Sequence, residues 1–254
     1  MIREKSKKEI EILREAGKKL AEVMAELEKR ISPGASGKEL DKLARELVFS
    51  RGGKPSFLNF SNGASRLFPS AICFSVNDEV VHGVPGNKIL KAGDLLKIDV
   101  GMDYKGFFVD MARTFAVGKI SARAEKLLET TKKCLDIGLR EVKEGAKMSE
   151  YSKAVQKRAE ENGFSVIRSL VGHGVGYAVH EDPQIPNYYS KNYKDVILKS
   201  GMVLAFEPMI NEGGCEIMLD KDGWTFKTKD GKLSAHFEDT VLVAEKGAEI
   251  LTRL

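Results

Sequence analysis

Residues 33–53, PGASGKELDKLARELVFSRGG, return later in the chain as residues 144–163, EGAKMSEYSKAVQKRAEENG. The two segments align at a constant shift (145 − 34 = 111 residues), which pairs Gly34 with Gly145, Ala35 with Ala146, Glu39 with Glu150 and Gly52 with Gly163. Self-similarity of this kind indicates a repeated structural unit. The sequence therefore predicts two halves that start alike.

A long helical pattern precedes each repeated segment, from Lys7 to Arg30 in the first half and from Ala122 to Lys143 in the second. The first carries apolar residues at helical spacing, namely Ile10, Leu13, Leu20, Val23 and Met24. A second helix and then strands follow in each half. Two helices plus strands, repeated, predict an α+β fold with helices outside a curved antiparallel sheet.

Residues 97–115, KIDVGMDYKGFFVDMARTF, predict a β-hairpin, because apolar runs flank Gly101, Asp103 and Gly106. One carboxylate, Asp99 or Asp110, lies on each arm, and facing side chains across a hairpin approach to roughly 4.5–5.5 Å. Two carboxylates that close are unfavourable without a cation between them. A pair of solvated strand acids is the plainer interpretation, but unpaired carboxylates in such apolar runs would be destabilising.

Three further candidate ligands lie at strands or strand ends. Glycines surround His173 in LVGHGVGYAVH and reduce side-chain bulk there; Glu207 follows MVLAF and precedes Pro208, and Glu238 lies in AHFEDTVLV. Singly, each is equally well explained as a hydrogen-bonded core residue. Together with Asp99 and Asp110 they provide four carboxylates and one imidazole, a set that suits two hard or borderline divalent ions.

Five segments resemble, in order and context, the metal-binding segments of the type I methionine aminopeptidases, which belong to the pita-bread family of metallopeptidases: KIDVG (97–101), FVDMARTF (108–115), GHGVG (172–176), AFEPM (205–209) and FEDT (237–240). Two further segments match, NDEVVHGVP around His82 and AVHEDP around His180. Type II members carry a helical insertion between the positions of His173 and Glu207, and only 34 positions (207 − 173) separate them here.

The resemblance covers nearly the whole chain and implies the pita-bread fold, with pseudo-twofold duplicated halves and the ligands on the inner face of the sheet. The resemblance, like the length and composition of the chain, agrees with a single catalytic domain over residues 1–254. It also implies removal of N-terminal methionine from nascent proteins and peptides with a small second residue, by hydrolysis at two divalent ions (Co, Mn, Fe or Zn). The implied ligands are Asp99, Asp110, His173, Glu207 and Glu238.

Further roles follow from the resemblance alone. Glu207 would relay a proton to the leaving amine, His180 would stabilise the negative charge that develops during hydrolysis, and His82 would contact the backbone amide of the substrate. Phe68, Cys73 and Trp224 match positions that receive the methionine side chain. Without the resemblance, His82 and His180 would be interpreted as ordinary surface or core histidines, and Trp224 as core packing.

The chain also departs from the family pattern. Val179 occupies a position where an aromatic residue is common, and Ser65 one where a tyrosine often lines the first sub-pocket. Asp239 replaces the usual histidine after the last ligand, and His236 replaces a polar amide just before it. Because Ser65 and Val179 are smaller than the usual aromatic residues, we expect a looser substrate pocket. Burial of the methionine side chain there should still contribute roughly 1.5–3 kcal/mol to binding.

Composition indicates where the protein is located and which partners it binds. Three cysteines without paired spacing indicate reduced thiols in a cytoplasm, and the N-terminus has no signal-peptide pattern. The net charge is +4, but 41 basic and 37 acidic residues are interspersed, so nucleic-acid binding is not indicated. No stretch approaches the roughly 18 apolar residues of a membrane span, so no membrane association is expected. We expect a monomer that acts on nascent chains. The basic N-terminal helix could dock on a ribosome, although covering its own core is the stronger interpretation.

Two rival functions stay open. One is an aminopeptidase of the same family with another preference, such as cleavage before proline. The other is a non-catalytic pita-bread binding module, against which the five intact ligand positions argue.

Overall fold

The computed structural model describes residues 2–61, 63 and 66–254. The helices are α1 (Lys7–Glu28), α2 (Gly37–Ser50), α3 (Ala122–Leu139) and α4 (Met148–Glu161). The strands are β1 (Lys54–Pro55), β2 (Ile72–Val76), β3 (Glu79–Val81), β4 (Leu95–Tyr104), β5 (Phe107–Ala116), β6 (Ser165–Val166), β7 (Gly172–Gly174), β8 (Glu181–Ile185), β9 (Val203–Phe206), β10 (Met209–Asn211), β11 (Ile217–Leu219), β12 (Phe226–Thr228), β13 (Ser234–His236), β14 (Glu238–Ala244) and β15 (Gly247–Ile250).

The predicted duplication is confirmed by the helix bounds. Helices α2 and α4 are each 14 residues long, and both their ends differ by 111 residues (148 − 37 and 161 − 50). Gly34 and Gly145 precede these helices and Gly52 and Gly163 follow them, all with positive φ angles of 94°, 80°, 79° and 76°. Each repeated glycine therefore occupies a left-handed turn that disfavours other residues.

The two preceding helices begin where the sequence predicts and end earlier, at Glu28 and Leu139. Helix α1 begins with a reciprocal capping box in which the Ser6 hydroxyl accepts from the Glu9 backbone N–H, and the Glu9 carboxylate accepts from the Ser6 N–H. Its buried face, which includes Leu13, Leu20 and Leu27, packs within a core shared with α2 and β4. The apolar face of α1 is thus used inside the molecule.

Nine antiparallel strands form the main sheet, in the order β1-β4-β5-β14-β9-β7-β8, with β2 added on β4 and β15 on β14. Helices α1 and α2 share one apolar core with β4 and β5, and α3 and α4 share a second with β9 and β14. Each helix pair therefore covers its own half, and the α+β prediction is confirmed. Two three-stranded sheets, β13-β10-β6 and β11-β12-β3, complete the described strands.

The predicted hairpin is formed by β4 and β5. Its two-residue turn, Lys105 and Gly106, has φ angles of 55° and 82°, the combination that matches the twist of a tight antiparallel hairpin. Asp99 pairs with Ala112, and Asp110 pairs with Gly101. The expectation that the two carboxylates face each other directly is wrong by two residues: they are diagonal neighbours on one face of the sheet.

None of the helices formed by the described residues is long and apolar enough to cross a membrane.

Candidate metal centre

One cavity of about 710 Å³ is lined by all ten residues to which the sequence assigned a site role: Phe68, Cys73, His82, Asp99, Asp110, His173, His180, Glu207, Trp224 and Glu238. These residues come from both halves of the chain. The tertiary structure therefore brings the predicted ligands and the predicted substrate pocket into a single space.

Three of the candidate ligands form one compact group. Asp110, His173 and Glu238 each offer a ligand atom, and these atoms all lie within 4.8 Å of one another. They lie on β5, β7 and at the start of β14, strands that run close together in the main sheet. Asp99 joins this group from β4 by its diagonal position relative to Asp110.

Glu207 directly follows β9, and its carboxylate lies between two imidazoles. Its Oε1 is 3.4 Å from Nε2 of His173, and its Oε2 is 3.5 Å from Nε2 of His236. The side-chain amide of Asn187 donates to the backbone carbonyl of Glu207 at 3.0 Å. Asn187 therefore restrains the backbone of Glu207, and the carboxylate of Glu207 points towards the two histidines.

Several buried oxygens of this cluster lack a hydrogen-bond donor among the described residues, namely Oδ1 of Asp99, Oδ1 of Asp110 and Oε1 of Glu238. Buried polar atoms are almost always satisfied in folded proteins. Burial raises the pKa of Asp99 to about 6, and burial followed by neighbouring carboxylates raises the pKa values of Asp110 and Glu238 well above their usual range. The donor set fits divalent cations, which would satisfy these oxygens and stabilise their ionised form.

The histidines are kept neutral by burial. Burial lowers the pKa of His173 to about 3 and those of His82 and His236 to about 4, and it also lowers the pKa of His180. Nδ1 of His173 lies 2.9 Å from the carbonyl oxygen of Gly174. A proton on Nδ1 donates to that carbonyl and leaves the Nε2 lone pair free for a metal, the arrangement expected of a histidine ligand.

His82 and His180 line the same cavity from different segments. The ring of His180 lies 4.5 Å from that of His173 and 5.2 Å from that of Phe60, both edge-on. His82 follows β3 with a φ of 58°, an uncommon conformation for a residue with a side chain and one that occurs more often at functional sites. Both imidazoles thus line the cavity that holds the carboxylate cluster, and their catalytic roles stay predictions.

An apolar subsite adjoins the carboxylates. Phe68 and Trp224 pack edge-on with their ring centroids 5.3 Å apart, in a buried cluster with Cys73 and Val179. Cys73 is the cross-strand partner of Asp99, and burial, followed by that carboxylate, raises the pKa of its thiol well above the usual range. Trp224 therefore lines the cavity rather than serving only as core packing.

Sequence reasoning missed Phe57 and Phe60, two aromatic residues that also line the cavity. Both lie in the irregular segment after β1, where no periodic pattern marks them. The pair of phenylalanines in FLNF (57–60) is the signal that could have drawn attention to them. Ser65, the predicted departure in the first sub-pocket, lies outside the described residues.

The other three departures from the family pattern lie within the described residues. Val179 is buried in the apolar cluster, and His236 lies against Glu207. Asp239 forms ion pairs with Arg113 and Arg253, each at 2.6 Å. Its carboxylate is thus neutralised by arginines.

The model for metallopeptidase family M24 matches residues 11–245, and the chain belongs to this family. It is 48% identical over 250 residues to methionine aminopeptidase 1 from Bacillus subtilis (strain 168), a match that spans 98% of each chain. Methionine aminopeptidase from Thermotoga maritima superposes with a TM-score of 0.94 at 42% identity, covering 100% of both chains. Within family M24, these relatives place the chain among the methionine aminopeptidases.

Prolidase from Pyrococcus furiosus shares the fold more distantly. It has a TM-score of 0.80 at 25% identity, and the match covers 99% of this chain and 65% of the prolidase. The predicted pita-bread fold is confirmed by these structural matches.

Proposed function

We propose that this chain is a metal-dependent hydrolase that removes the N-terminal methionine from polypeptides whose second residue is small. The observation that carries this proposal is the single cavity in which a carboxylate and imidazole cluster adjoins an apolar subsite. Its relatives from Bacillus subtilis and Thermotoga maritima are named methionine aminopeptidases. Nascent polypeptide N-termini in the cytoplasm are the proposed substrates.

Five side chains would hold two divalent ions: Asp99, Asp110, His173, Glu207 and Glu238. When bound, such ions polarise the scissile carbonyl and lower the pKa of the attacking water towards neutrality. The number of ions is supported by charge, since four buried carboxylates carry four negative charges and two divalent ions match them. Cobalt, manganese, iron and zinc all accept this mixed oxygen and nitrogen set.

The protein groups supply the remaining chemistry. Glu207 is a buried carboxylate beside the proposed ions, where it would accept a proton from the attacking water and pass it to the leaving amine. His180, neutral at pH 7, donates a hydrogen bond to the carbonyl oxygen as negative charge develops there. His82 contacts the backbone amide next to the scissile bond.

The apolar subsite would select the first side chain. Phe68, Cys73 and Trp224 offer it burial without a cation, so acidic side chains are rejected. An apolar pocket discriminates by only about 1–3 kcal/mol per methylene, so leucine and norleucine are weak substrates. The second residue lies close to His82 and the metal centre, which favours glycine, alanine or serine.

A panel of four peptides at equal concentration tests this function: Met-Ala-Ser, Met-Lys-Ser, Leu-Ala-Ser and Ala-Pro-Ser, each with the first amino acid quantified after release. We expect Met-Ala-Ser to be cleaved fastest. Fastest cleavage of Ala-Pro-Ser would instead identify a peptidase that cleaves before proline. Release from none of the four, with metal bound, would favour a binding module.

A further inference from the structure

His236 is a second imidazole beside Glu207, and it is fully enclosed, with 1% of its surface exposed. Its backbone is held firmly, because its N–H donates to the Thr114 hydroxyl at 2.9 Å and its carbonyl accepts from that hydroxyl at 2.7 Å. Strand pairing with Met209 adds a further restraint. The backbone of His236 is therefore fixed, and its ring lies close to the carboxylate of Glu207.

Neither ring nitrogen of His236 has a hydrogen-bond partner among the described residues. A neutral imidazole carries one N–H, and leaving a buried donor unpaired costs about 1–3 kcal/mol. Oε2 of Glu207, at 3.5 Å from Nε2, lies just beyond hydrogen-bond length. This carboxylate oxygen is therefore the acceptor we consider for that N–H.

The two imidazoles that flank Glu207 differ in one respect. His173 has a backbone acceptor for Nδ1, the carbonyl of Gly174, and so keeps Nε2 unprotonated. His236 has no such acceptor for Nδ1 among the described residues, which leaves its proton for Nε2, the nitrogen that faces the carboxylate. One imidazole is thus prepared to bind a cation, and the other to donate a hydrogen bond.

We propose that His236 is a positioning residue whose Nε2–H donates to Oε2 of Glu207 and so directs Oε1 of that carboxylate towards the ion shared with His173. Ligating carboxylates are commonly oriented by such outer hydrogen bonds, and their loss costs about 10–100-fold in metal affinity. The inference rests on the metal site proposed above.

Two variants separate hydrogen bonding from packing. His236→Leu fills the space without a donor, whereas His236→Gln keeps an N–H donor of similar reach. Ser234→Ala is the matched control, since Ser234 is buried on the same strand, two residues away, and its hydroxyl bonds to the carbonyl of Ile210. Metal-free proteins are titrated with Mn²⁺ in a calorimeter, without substrate.

We expect His236→Leu to bind Mn²⁺ about 10–100-fold more weakly than the wild type with the same number of ions. His236→Gln should recover most of this loss, and Ser234→Ala should stay close to the wild type. Equal affinity in His236→Leu would overturn the proposal. If the wild type binds no ion, the proposed function itself fails, and that result is distinct from an unaltered variant.

Two further measurements extend the test, and the first of them needs no variant. Nitrogen-15 NMR of the wild type, which has only four histidines, should show His236 protonated at Nε2; protonation at Nδ1 would contradict the proposal. The visible spectrum of the cobalt-loaded protein should be the same for the wild type and His236→Gln. A changed coordination number in that variant would mean that His236 is itself a ligand, which also overturns the positioning role.

Discussion

Glu238 and Asp239 are consecutive residues whose carboxylates lie on opposite faces of strand β14. Glu238 lines the cavity, and its candidate ligand atom lies within 4.8 Å of those of Asp110 and His173. Asp239, which is wholly buried, binds Arg113 and Arg253. Successive side chains of a strand point to opposite faces, so one carboxylate faces the site while the next holds the strand from behind.

The ion pairs of Asp239 with the two arginines predict that its replacement will destabilise the protein. Asp239→Asn removes the charge that pairs with both arginines and should lower the free energy of unfolding by about 1.5–3 kcal/mol. The loss stays below that of a wholly buried ion pair, because the side chain of Arg253 is 38% exposed and can be solvated. Urea denaturation of the metal-free protein measures the change.

Asp136→Asn is the matched control, because Asp136 pairs with the same Arg253 at 2.9 Å but is itself 37% exposed. An exposed pair contributes at most about 1 kcal/mol. Equal losses in the two variants would show that Asp239 gives no special support to the strand.

Metal removal should abolish activity and lower the melting temperature. The buried carboxylates of the cavity repel one another when ionised without cations, and ions that bind only the folded protein stabilise it by mass action. A chelator is applied and then removed, after which Co²⁺, Mn²⁺ or Fe²⁺ is restored. Undiminished peptide cleavage by the stripped protein would eliminate the metal-dependent mechanism.

His180→Ala should lower kcat by about 10²–10³, comparable to the loss of one donor to a developing oxyanion. The metal content should persist, since His180 is not among the predicted ligands, and mass spectrometry of the native protein checks this. A variant with normal kcat would show that the predicted role of His180 is wrong.

Lys97 predicts a pH-dependent difference in stability. It is 1% exposed, its ammonium donates to the carbonyls of Asn77 and Ser234, and burial lowers its pKa to about 7. Between this value and the ordinary value of 10.5, the unfolded chain binds more protons than the folded one. Raising the pH through that window therefore favours folding.

The comparison with Lys97→Met isolates this effect, because other titrating groups cancel. From pH 7.5 to 9.5 (about half of the window), the free energy of unfolding of the wild type should rise, relative to that of the variant, by roughly 1 kcal/mol per pH unit. A constant difference would mean that Lys97 titrates at its ordinary pKa in the folded protein.

Much of the fold could be predicted because its signals are local. Helices α1 and α3 start at the residues where the predicted helical segments start, and the bounds of α2 and α4 differ by the shift of the sequence repeat. The candidate ligands could be predicted because four carboxylates and His173 stood in apolar or glycine-rich strand ends, whereas the roles of His82 and His180 were implied by the family resemblance alone. Phe57 and Phe60 could not, since an irregular segment has no period to reveal which way its side chains point.

The sequence by itself determined the duplication, the hairpin and the residue types of the candidate metal-binding set, because each depends on short-range patterns of residue type. Only the tertiary structure decided the diagonal offset of Asp99 and Asp110, the approach of His236 to Glu207 and the pairing of Asp239 with arginines. These depend on strand register and on contacts between distant segments. A shift of one residue in register would turn every side chain of a strand to the other face, so local patterns alone do not specify them.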